Sequence, residues 1–93
     1  MTSKRLEARI RRDFPQATAE VLERLVSLRL ALAEKQSRER IDAAIVLLAD
    51  GSLSRLERAV AVAERDWRDV LVAAGLAHGD WTERLDQLLG PRS

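Results

Sequence analysis

The sequence predicts an all-α protein: a compact bundle of five to six short helices around a central hydrophobic helix at about residues 38–50. Three observations carry this. Seven apolar residues run without a break from Ala43 to Ala49. At about 100° per residue they point nearly all the way round a helix, leaving Glu39, Asp42 and Asp50 on a narrow polar edge. Elsewhere apolar residues recur at helical spacing, and no stretch supplies a strand partner for the central run. Glycines and prolines then punctuate the periodic stretches, the four glycines reading as separate helix terminators. The central run is short enough to be one buried strand, but its flanking Ala43, Ala44 and Ala49 and its RERID lead-in favour helix. A helix of this kind has to be covered on several sides.

The first helix is expected from Ser3 to Asp13, with Leu6, Ile10 and Phe14 on one side. Pro15 ends it by pushing the preceding residue out of the helical region. The second is expected from Ala17 to Gln36, with Glu20 and Arg24 paired one turn apart. Val21, Leu25, Leu28 and Leu32 form its main apolar row. Leu22, Val26 and Leu30 widen the arc to about 200°, against roughly 100° for an ordinary surface helix. Either two neighbours in the monomer cover this excess, or the outer row is a subunit contact. Arg29 falls inside the arc. It reads as an ion-pair partner for Asp42 or Asp50, or alternatively as a site for a ligand anion.

The central helix starts near Ser37 as N-cap and stops at Gly51. The fourth is expected to begin from a capping box, Ser54 to Glu57, with Leu56, Val60 and Ala63 buried and Ala59, Ala61 and Ala63 permitting close approach. The last third uses one pattern twice. Asp66-Trp67-Arg68-Asp69 leads to Gly75, and Asp80-Trp81-Thr82-Glu83 leads to Gly90. In each, aspartate suits the N-cap, tryptophan the first helical position, a carboxylate the first turn and glycine the end. In the last helix Trp81, Leu85, Leu88 and Leu89 form one stripe, and Pro91 follows the stop.

The 93 residues read as a single helical domain, 1–93, with one modest core. The longest apolar run is far short of the roughly 20 residues that span a bilayer, and the basic N-terminus has no apolar segment behind it to act as a secretory signal. Cytoplasmic localisation is the default expectation, with no membrane association. The chain has no cysteine, which removes disulfides, thiolate metal sites and cysteine nucleophiles together. A net charge of +1 creates no strong field for nucleic acid. Residues 1–14 are locally basic, with five bases against two acids, but the bases spread around the helix and read as a solvated face. Arginine supplies 14 of the 16 bases, a preference that reads as codon usage in a GC-rich genome.

The segments ERIDAAIVLLADG, ERDWRDVLVAAGLA and DWTERLDQLLG, from Arg40 to Gly90, resemble a set of small uncharacterised proteins encoded in actinobacterial genomes. The similarity covers a little over half the chain and weakens before residue 40. In those proteins proline often follows the second tryptophan where this chain has Thr82, and either residue suits a first helical turn. The resemblance implies an all-helical fold and carries over no catalytic or binding residue.

No enzymatic constellation is evident. The pairs Asp66 with Asp69 and Asp80 with Glu83 are explained by helix starts, and His78, the lone histidine, lies in a loop between two glycines with no triad or metal partner at suitable spacing. No cofactor or metal is expected. The leading functional expectation is a non-catalytic protein-interaction or regulatory module that binds an unidentified protein or a second copy of itself. Its candidate contact residues are Arg29, Leu30, Trp67 and Trp81. Tryptophan often anchors interfaces, but in a chain with three aromatic residues both are equally readable as core fillers. The alternative is a nucleic-acid binder in which residues 70–89 form a helix-turn-helix. Its six-residue connection is long for that motif, and Glu83 and Asp86 would face the phosphates.

Overall fold

Three helices, α1, α4 and α5, start at a side chain that accepts from one of the first free amides, in the computed structural model, which describes residues 3–28 and 38–90; the expected N-cap Ser37 lies outside them. Six helices and no strand occur among the described residues, forming a compact all-α bundle. α1 spans Lys4–Asp13. The Ser3 hydroxyl accepts from the Leu6 N–H at 3.4 Å and donates to the Glu39 carboxylate. Leu6 and Ile10 are buried, and Phe14, forced out of helical geometry by Pro15, tucks into the same core.

α2 spans Thr18–Val26 and does not run on to Gln36 as the periodicity suggested. Competition for the last carbonyls explains the early stop. Ser27 Oγ donates to the Arg24 carbonyl at 3.1 Å, and the Arg38 guanidinium donates to that of Leu25. Leu28 N–H bonds three residues back, to Leu25, as the chain tightens out of the helix. Val21 and Leu25 are buried, Leu22 is half-buried, and Val26 is 69% exposed. The expected Glu20–Arg24 pair is replaced by a longer-range one, Arg24 reaching Glu57 at 2.9 Å. Arg29, Leu30 and Leu32 lie outside the described residues.

α3 spans Arg38–Ala49 and is the central helix the sequence called for. It packs against α1, α4 (Leu53–Arg65), α5 (Trp67–Ala74) and α6 (Trp81–Leu89). Residues 41–46 and Ala49 are all buried. Its polar edge is covered at the middle, where Asp42 is only 6% exposed and accepts from Arg38 at 2.9 Å, while Asp50 at its end is exposed. Two successive left-handed residues, Asp50 at φ 48° and Gly51 at φ 77°, end the helix. At Gly51 a β-carbon would also lie 3.3 Å from the Asp13 carbonyl oxygen.

α4 begins two residues before the expected capping box. Ser52 is extended and its hydroxyl accepts from the Arg55 N–H at 3.4 Å, while Ser54 is already helical and Glu57 is turned toward Arg24. Leu56, Ala59, Val60 and Ala63 face the core, whereas Ala61 is exposed. Asp66 alone joins α4 to α5. It is the C-cap of one and the N-cap of the other, its carboxylate accepting from the Arg68 N–H at 3.1 Å. Gly75, at φ 75°, closes α5. Asp80 occupies the N-cap position of α6 without a side-chain capping bond, and Gly79, read as a fourth terminator, lies in the loop before that helix.

Candidate interaction surface

Two of the N-terminal bases, Arg5 and Arg9, are largely withdrawn from solvent, while Lys4, Arg11 and Arg12 stay exposed. Arg5 is 9% exposed at its side chain and forks onto Glu39, at 3.0 Å from Nε and 2.8 Å from Nη2. Its remaining terminal nitrogen donates to Asp86 at 2.6 Å and to the Gly90 carbonyl at 2.9 Å. One guanidinium therefore straps α1 to α3 and to the end of α6. The Glu39 hydrogen bond is the main reason its affinity for the proton rises above the ordinary arginine value; burial opposes this and Asp86 reinforces it. Arg9 pairs with Asp13 at 2.9 Å and Arg11 with Glu7 at 2.7 Å, each within α1.

Of the residues the sequence singled out, Arg29 and Leu30 lie outside the described residues. Trp67 and Trp81 open α5 and α6, and both are half-buried against the core. The Arg40 guanidinium sits 4.8 Å from the centroid of the Trp81 ring and donates to the Leu76 carbonyl at 2.7 Å. Burial lowers Arg40 from its ordinary value. The Arg40 contacts hold one face of Trp81 inward and seat the α5–α6 loop on α3.

A surface hollow with a mainly apolar lining lies elsewhere, and the sequence reading did not single it out. Between α4 and α5 lies an open groove of about 240 Å³. Ala59 and Val70 form its floor, and Leu48, Val62 and Ala73 its walls. It lies beside the one-residue joint at Asp66, where the small side chains of Ala59 and Ala73 fill little of the space between α4 and α5. Arg55 and Arg58 border the α4 side and Asp69 the α5 side. On a helical projection Arg55, Arg58, Val62 and Arg65 fall within about 80° of one another, beside the buried face. That stripe is the sequence signal that could have pointed here. Arg55 approaches Asp50 only to 3.7 Å, with both side chains well exposed. Arg58, Arg65 and Asp69 enter no ion pair among the described residues.

Candidate chemistry converges nowhere comparable. Among the described residues no group of three or more His, Asp or Glu side chains could hold a metal ion. His78 is exposed in the α5–α6 loop. Asp66 is occupied as a cap, its carboxyl held below the ordinary value by hydrogen bonds from the Arg68 side chain and backbone. α6 packs mainly on α1 and α3, not on α5 as the second helix of a helix-turn-helix packs on the first. No described helix is long and apolar enough to cross a membrane. Compared with family models, curated proteins and solved structures, the chain matches none.

Proposed function

We propose that the protein is a non-catalytic interaction module that receives a helical segment of a partner protein in the groove between α4 and α5. The observation that carries the reading is the groove itself, an apolar hollow left open by two alanines and bordered by charged side chains. Such a hollow, an apolar floor with a polar rim, has the anatomy of a docking site for the apolar face of a helix. Trp67 and Trp81 then serve the core, and the binding surface rests on α4 and α5.

Nucleic-acid binding has less support. Arg5, Arg9 and Arg11 are committed to carboxylates, and the outward residues of α6 include Glu83 and Asp86. The test is capture from nuclease-treated lysate of the source organism with the wild type and with Ala73→Gln. Ala73 is exposed, so glutamine blocks the groove with little cost to the helix. Specific protein capture lost in the variant, with thermal unfolding unchanged, supports the module. Capture that is indifferent to the variant, or removed by nuclease, overturns it.

A further inference from the structure

The groove's two edges differ in charge, and the difference specifies its occupant. Arg55 and Arg58 line the α4 edge, Arg65 falls in the same stripe on the helical projection, and Arg58 and Arg65 have no carboxylate partner among the described residues. Most other arginines among the described residues are neutralised. Arg5, Arg9, Arg11, Arg24, Arg38 and Arg68 all lie within 3.1 Å of a carboxylate oxygen. The α4 stripe is thus a local excess of positive charge beside apolar surface, while the α5 edge contributes the opposite sign through Asp69.

We infer that the groove takes an amphipathic helix from another protein whose edge lying over α4 is acidic. This rests on the groove reading above and adds the charge and orientation of the ligand. Leu, Ile or Val side chains at helical spacing fill the hollow over Ala59 and Ala73. Glutamates or aspartates one turn apart meet Arg58 and its neighbours, and a base on the opposite edge suits Asp69. A second copy of this chain is a poor occupant, because its equivalent surface offers one carboxylate, Asp69, against two arginines, Arg55 and Arg58. Rim charges of this kind set encounter rate, orientation and salt dependence more than they set affinity.

The experiment is a displayed library of amphipathic helices. Its apolar face is fixed, and its flanking positions are drawn from Glu, Lys, Gln and Ala. Selection uses the wild-type protein, with rejection of clones that still bind Ala73→Gln. The expected survivors concentrate Glu along one edge. A synthesised survivor should bind about tenfold more weakly to the Arg55→Gln/Arg58→Gln double variant, the scale of two exposed ion pairs. Its affinity should fall with added salt, and Arg58→Glu should shift the preference to Lys at the facing position. Groove-dependent survivors without an acidic edge overturn the charge inference and leave the groove reading standing. A library with no groove-dependent binder overturns both. A concentration-dependent mass in light scattering that Ala73→Gln abolishes assigns the groove to self-association and likewise overturns the inference.

Discussion

Arg5 is the residue whose loss should be felt most outside the apolar core. Its guanidinium makes four hydrogen bonds of 2.6–3.0 Å to Glu39, Asp86 and Gly90, groups supplied by α3 and by the end of α6. Removing one partner of a fully buried pair costs roughly 3–5 kcal/mol, because the other charge is left uncompensated. The situation here is milder. Glu39 is 22% exposed and keeps the Ser3 hydroxyl, and Asp86 is 47% exposed, so both regain water. Arg5→Ala is therefore expected to destabilise by about 2–3 kcal/mol. For a chain of this size each kcal/mol lowers Tm by about 5 °C, so the drop should be about 10–15 °C.

The assay is urea and thermal unfolding followed by circular dichroism. Arg5→Lys is expected to recover less than half of the loss, because an ammonium cannot reproduce the planar fork. Arg5→Met paired with Glu39→Leu should be more stable than either single change, since the unpaired charge is then gone as well. Arg5→Ala within about 0.5 kcal/mol of wild type, the range of ordinary surface substitutions, would refute the reasoning and show that α1 is held by its apolar face alone.

Three further outcomes follow from the same geometry. Ser52→Ala should cost about 1 kcal/mol in urea unfolding and Ser54→Ala less than about 0.5 kcal/mol, the reverse order showing that the cap lies where the sequence box first placed it. Gly51→Ala should cost more than Gly75→Ala, about 2 against about 1 kcal/mol. Both positions are left-handed, but the new methyl meets the Asp13 backbone oxygen in one and the movable end of Arg84 in the other. Asp42 supplies a pH test. Burial raises its pKa, and the hydrogen bond and charge of Arg38 only partly oppose this. A carboxyl raised in the folded state favours the native protein when protonated, and that contribution is lost as pH climbs through the raised value. Relative to wild type, Asp42→Asn should therefore perform better at pH 7 than at pH 3.5 in parallel urea titrations, and the opposite trend would contradict the assignment.

What the sequence disclosed and what it withheld divide along a physical line. Helical periodicity is local, so the existence of each helix, the all-round burial of α3, and the Asp66, Gly75 and Pro15 boundaries could be read directly. The end of α2 could not. It depends on Arg38 taking the Leu25 carbonyl from the far side of a 13-residue separation. The N-terminal bases looked like a solvated face because nothing near Arg5 in sequence announces Glu39 or Asp86, the latter 81 residues away. The groove was hidden for the same reason. Arg55, Arg58 and Arg65 each pass for ordinary surface, and Ala59 for a close-packing residue, until the fold sets α4 and α5 on either side of the single-residue joint at Asp66. Small residues bring two helices together only where the connection permits parallel approach. Beside the Asp66 joint small side chains leave a hollow instead, and the charges along it acquire a direction that composition alone does not reveal.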